Sequence, residues 1–225
     1  MTPDLPAVEV AIVKETNDFR RQQNLNPVKR NRQLDLAARR FARYLAKTGK
    51  FSHTADGRQP SERIASAGYE YCRVAENLAL RSDSRGFQSQ QLARLTVESW
   101  KKSPGHRRNM MLPTVTEIGV GVARADNEHR YLSVQLFGRP KALQYKFEVR
   151  NETGQRLNYI FDGRNKNIPA RAYVQITVCA PGQLSFPKHV SPANQPGRPA
   201  HFTTRAGDRF VISIQNQGLI VSRTP

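Results

Sequence analysis

Residues 117–137 read EIGVGVARADNEHRYLSVQLF, and this stretch decides the fold class because the spacing of its apolar residues changes. Upstream of it, apolar residues recur about every 3.6 positions, as on a helix face. Within it, two alternating runs, 118–122 and 131–137, flank the turn residues Asp126 and Asn127 and predict an antiparallel hairpin. Helices first and strands later indicate an α+β fold, with helices packed on a mostly antiparallel sheet.

The region before the hairpin is predicted to be mainly helical. Apolar stripes and flanking turn residues predict helices over residues 8–24, 35–48, 61–67 and 89–102. Gly49 follows the second helix at the position where a left-handed residue usually ends one. The long helices would each bury one stripe against the sheet.

The region after Pro140 has no helical signal and is predicted to be a second domain. Short alternating runs recur at 145–149, 157–161, 174–178 and 210–214. Such runs, separated by turn residues, predict a small all-β, sandwich-like domain. The predicted domains are therefore 1–140 and 141–225, and the proline-rich segment 181–199 is expected to be a surface loop without regular structure.

Length and composition exclude several classes of protein. The chain has 225 residues, which is enough for one large or two small domains with real cores. No run approaches the roughly 20 apolar residues of a membrane-spanning helix, and no collagen-like period is present. We therefore expect a soluble, globular protein, without a membrane span.

The net charge predicts attraction to polyanions. Lys and Arg number 36 against 18 Asp and Glu, which gives a formal charge of +18. No zinc finger, basic zipper or RNA-recognition motif is readable, so sequence-specific nucleic-acid binding is not expected. Anionic lipid, an envelope polymer or another protein remain as partners. The densest basic clusters, each interpretable as a solvated face or as a polyanion site, are Arg39, Arg40, Arg43 and Lys47, and Lys101, Lys102, Arg107 and Arg108.

The cysteines and the first residues bear on the compartment. Cys72 and Cys179 are too few for a disulfide-rich scaffold or a four-thiolate zinc site. They would form one disulfide between the domains or remain two buried thiols. Residues 1–13 do not resemble a signal peptide, because they lack a basic leader and Glu9 interrupts their apolar run.

Two local patterns have competing interpretations. Asn151, Glu152 and Thr153 fit a glycosylation sequon, but with the following glycine they also fit a hairpin turn, which we favour. Gly119 and Gly121 lie inside a strand pattern rather than at a strand-to-helix turn, so close strand packing explains them better than phosphate binding.

Four titratable residues of the first domain are the candidates for chemistry: His53, Glu76, Glu98 and His106. Each glutamate has apolar neighbours in the sequence, where a carboxylate is unfavourable unless it is paired. Neutral imidazoles suit zinc, and two of them leave coordination positions for water or a carboxylate. The same four groups could equally form a hydrogen-bonded cluster that only stabilises the fold.

The motifs around these residues resemble the CAP superfamily, also called SCP/PR-1, in its bacterial form. The resemblance covers residues from about 6 to 140, and five motifs occur in the family's order. These motifs are His53, Ala75-Glu76-Asn77-Leu78, Glu98-Ser99-Trp100, Ser103-Pro104-Gly105-His106 and Gly119-Val120-Gly121. The extra disulfides of eukaryotic members are absent, and residues 141–225 match no family that we recognise.

The resemblance implies an α-β-α sandwich with a cleft lined by His53, Glu76, Glu98 and His106. It also implies that the two histidines bind a divalent cation, often zinc, with the glutamates facing the same cavity. It implies a secreted or envelope-associated protein, which we expect to be a monomer. Three hypotheses follow: a binding protein, a zinc-dependent hydrolase with Glu76 or Glu98 as its general base, and a structural tetrad whose function lies in residues 141–225.

Overall fold

The computed structural model describes residues 1–125, 129–216 and 218–225. It divides the chain into two compact units, Met1–Ala142 (unit 1) and Leu143–Pro225 (unit 2). The predicted turn at Asp126 and Asn127 lies outside the described residues. Within the described ranges, no helix is both long and apolar enough to span a membrane.

The described residues of unit 1 form five α-helices. They are α1 (Leu5–Gln22), α2 (Arg32–Thr48), α3 (Pro60–Ser66), α4 (Ser89–Lys102) and α5 (Pro104–Met110). Helix α2 begins three residues earlier than predicted, because the Asn31 side chain accepts hydrogen bonds from the Gln33 and Leu34 amides and caps the helix. It ends as predicted, with Gly49 in the left-handed region at φ +69°.

Four strands of unit 1 form one sheet. They are β1 (Lys29–Arg30), β2 (Tyr71–Ser82), β3 (Glu117–Arg124) and β4 (Arg130–Pro140), in the order β1-β3-β4-β2. The β3–β4 and β2–β4 pairs are antiparallel, and β1 pairs with β3 in parallel. The α+β class is therefore confirmed. Strand β2, the longest and an edge strand, was not predicted.

Helices cover both faces of this sheet. Val120 and Tyr131 pack in one core with α1, α4 and α5, whereas Leu132 and Val134 pack in the other with α2 and α3. The arrangement is an α-β-α sandwich. A Cβ atom placed on Gly121 would lie 2.2 Å from the Arg39 backbone nitrogen. This glycine thus permits a close contact between strand β3 and helix α2. The sequence pattern had instead indicated close packing between strands.

Unit 2 is a β-sandwich of two sheets. One has the order β10-β13-β12-β5-β8 and the other the order β11-β9-β6-β7. Side chains of both sheets, among them Phe147, Tyr159 and Phe210, share one core. The strands are β5 (Tyr145–Asn151), β6 (Leu157–Phe161), β7 (Arg164–Ile168), β8 (Tyr173–Val178), β9 (Gln183–Ser185), β10 (Val190–Pro192), β11 (His201–Thr203), β12 (Arg209–Gln215) and β13 (Gly218–Thr224).

The proline-rich segment 181–199 is not a loop without regular structure, so that prediction is wrong. It contains β9, which pairs with β6 and β11, and β10, which pairs in parallel with β13. Strands of three residues are too short to show an alternating pattern, and their partners are distant in sequence. Pairing across the fold, rather than local sequence, makes these segments strands.

The structure also distinguishes between alternatives that the sequence left open. Asn151 is 1% exposed, and its side-chain nitrogen donates to the backbone oxygens of Gln155 and Pro169. Its side-chain oxygen accepts from Thr153, so the asparagine holds the segment together and is not an accessible sequon. The segment is not the predicted hairpin turn, because it joins β5 and β6, which lie in different sheets. Neither cysteine is a free thiol.

Candidate functional site

The candidate residues of unit 1 lie on four different elements, and β2 is central to their arrangement. Glu76 lies on β2, His53 in the turn between α2 and α3, Glu98 on α4 and His106 on α5. Because β2 is at the edge of the sheet, side chains from both helical layers can meet beside it. The structure brings His53, Glu76 and His106 into one region.

Glu76 is the buried centre of this region, with a side chain only 2% exposed. Its carboxylate accepts two hydrogen bonds from Arg63 Nη2, at 2.8 Å to Oε2 and 3.1 Å to Oε1. Oε1 also lies 2.7 Å from His53 Nδ1. A buried carboxylate needs such partners, so the expectation from its apolar neighbours, that Glu76 is paired, is met by Arg63 and His53.

Arg63 connects the His53 turn to the core of unit 1. It is 7% exposed, and its guanidinium carbon lies 3.5 Å from the centroid of the Phe41 ring. Besides Glu76, it donates to the His53 backbone oxygen at 2.8 Å and to the Asp56 carboxylate at 2.8 Å. A single guanidinium therefore fixes both the turn that carries His53 and the carboxylate that His53 contacts.

The hydrogen bond to Glu76 determines which nitrogen of His53 is free. An ionised carboxylate only accepts hydrogen bonds, so Nδ1 of the neutral ring carries the proton and donates it to Oε1. The lone pair then lies on Nε2, and the His53 side chain is 51% exposed. A carboxylate that orients a histidine in this way is a common neighbour of a metal-binding imidazole.

His106 lies within electrostatic reach of His53. Burial, and secondarily the charge of His53, lower the pKa of His106 below its ordinary value of 6.5. The imidazole is therefore neutral at pH 7, which is the form that binds metals.

This lowered pKa predicts how stability depends on pH in the metal-free protein. Between pH 7 and pH 5 the unfolded chain takes up a proton at His106 before the folded protein does, so the free energy of unfolding falls as the pH falls. Urea denaturation with a chelator present measures this fall. We expect it to be smaller in His106→Gln, and equal falls in the two proteins would contradict the prediction.

A buried network of amide side chains attaches α5 to β2. Asn77 donates to the His106 backbone oxygen at 3.2 Å and to Gln135 at 2.9 Å. Asn109 donates to the Glu76 backbone oxygen at 3.0 Å and to the Asn77 side-chain oxygen at 2.9 Å. The residue beside Glu76 thus positions the helix that carries His106.

Glu98 differs from Glu76 in its surroundings. Its side chain is 46% exposed and lies 2.7 Å from Lys101 Nζ. Among the described contacts, none joins Glu98 to His53, Glu76 or His106. Trp100, which belongs to the same motif as Glu98, is buried. Its indole nitrogen donates to the Leu78 backbone oxygen at 2.9 Å and so fixes α4 against β2.

The donor set is compatible with a two-histidine cation site. In the ranges that the structure covers, no three His, Cys, Asp or Glu residues lie close enough together to hold a metal ion. Two imidazoles with accessible surface nevertheless match the ligand preference of zinc, with water completing the coordination. His53 and His106 are the residues that would hold such an ion.

Sequence reasoning missed Arg63 and Asn109. Neither stands in one of the five motifs, and each contacts Glu76 or Asn77 only because the fold brings segments at least 13 residues apart together. Asn77 lies inside a recognised motif, but its hydrogen bonds to α5 and β4 could not be read from the motif.

Known proteins provide an independent comparison. A family model described as "CAP: Cysteine-rich secretory protein family" matches residues 13–137. The uncharacterized protein YkwD of Bacillus subtilis is 30% identical over 116 residues, which are 51% of this chain and 42% of that protein. The chain therefore matches less than half the length of this curated relative.

A solved structure supports the same fold over part of the chain. An outer surface protein of Borrelia burgdorferi superposes with a TM-score of 0.51 and 23% identity, over 58% of this chain and 90% of that chain. An extracellular protein with an SCP domain from Bacillus anthracis has a TM-score of 0.49 and 23% identity, over 60% and 41% of the two chains. Since the family match covers more than half of the chain and carries the motifs described above, the chain belongs to the CAP, or cysteine-rich secretory protein, family.

Proposed function

We propose that unit 1 is an extracellular binding domain whose cleft takes a divalent cation through His53 and His106 and, with it, a ligand. The observation that carries this proposal is the hydrogen bond of 2.7 Å between His53 Nδ1 and the buried Glu76 carboxylate. It leaves Nε2 as the metal-binding atom and holds the ring in one orientation. The bound cation would supply a positive centre for an anionic or carbonyl group of the ligand.

The surroundings of the two glutamates favour binding over hydrolysis. A general base needs a free lone pair and a pKa near neutrality. The Glu76 carboxylate is buried and already accepts hydrogen bonds from Arg63 and His53, so it is engaged inside the protein. Glu98, the other candidate base of the alternative, a zinc-dependent hydrolase, is paired with Lys101, and no described contact joins it to His53 or His106.

The second part of the proposal concerns location. A charge of +18 draws the protein to anionic layers, and the secretory character of the family favours the cell envelope, whether its lipid or its polymers. The proposed cation site does not depend on this proposal about location. The site requires His53 and His106, whereas the attraction to an anionic layer requires only the net positive charge of the chain.

Zinc titration by calorimetry tests the cleft. At moderate salt and pH 7.5 or so, we expect saturable binding by the intact protein and loss of at least about tenfold in affinity in the double variant His53→Ala, His106→Ala. The matched control is His189→Ala, His201→Ala, which removes two exposed histidines of unit 2. Equal affinities in both double variants, or no binding by the intact protein, would contradict the proposal.

A further inference from the structure

The outward face of helix α2 carries exposed cations and no exposed carboxylate. The only acidic residue of the helix, Asp35, is buried and bound to Arg30 Nε and the Val120 amide. From the first to the last, the cations span 16 residues, or about 22 Å of helix. We call them the α2 basic face: Arg32, Arg39, Arg40, Arg43 and Lys47.

Most of these cations have no role within the fold. In the described part of the chain, the side chains of Arg32, Arg40, Arg43 and Lys47 make no hydrogen bond or ion pair. Arg43 also stands four residues from Lys47 and four from Arg39, a spacing at which like charges destabilise a helix. Folding therefore does not explain this charge pattern, whereas an anionic ligand would.

A pocket of 210 Å³ lies along one side of the α2 basic face. Arg40, Arg58 and Arg63 line it, together with the carboxylate of Asp56. That carboxylate is already paired with Arg63 at 2.8 Å. Arg40 and Arg58 thus give the pocket an uncompensated positive charge.

A second pocket, of 400 Å³, lies along the other side of the helix. Arg39 and Arg43 line it, and so does the buried carboxylate of Glu9. Glu9 is held by two guanidiniums, at 2.9 Å from Arg39 Nε and 3.0 Å from Arg30 Nη2. Its charge is therefore neutralised, and Arg43 remains available to a ligand.

The second basic cluster of unit 1 is different, because its members are partly used inside the protein. Lys101 pairs with Glu98 at 2.7 Å. Arg107 donates to the Gln23 side chain at 3.1 Å and lies over the Phe19 ring. Of the two clusters, the α2 basic face is the one with several unpaired cations between two positively charged pockets.

We propose that the α2 basic face binds a linear polymer that carries a phosphate group in each repeat, laid along the helix with phosphates entering the two flanking pockets. Arginine predominates on this face, and its planar fork matches phosphate oxygens. A lipid bilayer fits less well, because Leu36 is the only large exposed apolar side chain of α2 and membrane-surface helices need several. This inference rests on the proposed attraction to an anionic layer, and it assigns the binding of that layer to the α2 basic face.

The test measures binding of fluorescent inorganic polyphosphate to the intact protein over a series of salt concentrations. We expect Arg40→Glu, Arg43→Glu to lose at least about tenfold in affinity near 0.1 M salt and to reduce the salt slope by about 2. The matched control, Arg94→Glu, Lys102→Glu, makes the same change in net charge. Both of its residues are exposed and lie on α4, in the opposite helical layer.

The outcomes separate this inference from the proposal on which it rests. Loss of affinity in the α2 variant with at most a small loss in the α4 variant supports the site. Equal losses in both variants overturn the site and leave only attraction by net charge. Absence of binding by the intact protein overturns both.

Two further probes test the chemical class of the ligand. Polyglutamate of similar length offers carboxylates in place of phosphates, and equal affinity for it would overturn the preference for phosphate. Vesicles that contain phosphatidylglycerol offer phosphates on a surface. If the protein binds these vesicles more tightly than polyphosphate, and the α2 variant loses that binding, the partner is a membrane. That result would overturn the proposal of a polymer ligand.

Discussion

Replacement of Gly121 by alanine is expected to lower the free energy of unfolding by about 3 kcal/mol, at the upper end of the range for overpacked cores. The new Cβ would lie 2.2 Å from the Arg39 nitrogen, 2.3 Å from the Ala38 carbonyl carbon and 2.5 Å from the Arg39 Cα. All three are backbone atoms of α2, so no side chain can rotate away. The helix would have to move off the sheet, which would open the core that contains Leu34 and Leu45.

Urea denaturation followed by tryptophan fluorescence measures this effect in the intact chain. Trp100 is the only tryptophan and is buried in unit 1, so its signal reports on that unit. Gly105→Ala is the control, because a Cβ there meets nothing within 4 Å and alanine favours the α5 helix. If Gly121→Ala unfolds at the same urea concentration as the parent protein, α2 and β3 do not pack as closely at this position as described.

The same contact shows how far the sequence predicts the fold. Apolar periodicity predicted the β3–β4 hairpin and the bounds of α4, because α4 buries one apolar stripe and β3 alternates large apolar side chains on one face with glycines on the other. Strand β2 was missed, since polar residues such as Glu76 and Asn77 are buried in its middle. Their partners, Arg63 and Gln135, come from other elements, and no local pattern signals them.

The candidate site shows the same limit for function. Motif order identified His53, Glu76, Glu98 and His106, but it treated the two glutamates alike. The structure gives them different environments, because Glu76 lies on an edge strand beneath Arg63 whereas Glu98 lies on a partly exposed turn of α4. A carboxylate's burial depends on what the fold places above it, and this cannot be read from its neighbours in sequence.

This difference predicts unequal effects of the same substitution. Glu76→Gln is expected to lower the free energy of unfolding by about 3 kcal/mol, because it leaves the buried Arg63 guanidinium without its main counter-charge. Asp56, which stays 2.8 Å from Arg63 Nη1, prevents a larger loss. Glu98→Gln removes only an ion pair with a partly exposed side chain and is expected to change stability by less than about 1 kcal/mol.

Zinc calorimetry on the same two variants distinguishes a structural carboxylate from one that also orients a metal ligand. If Glu76 fixes the His53 ring, Glu76→Gln reduces zinc affinity about 10-fold or more, even where the protein is fully folded. Glu98→Gln keeps its affinity if the two histidines suffice. Loss of stability with unchanged zinc affinity in Glu76→Gln would mean that the carboxylate serves Arg63 alone, because a ring free to rotate would then bind the cation equally well.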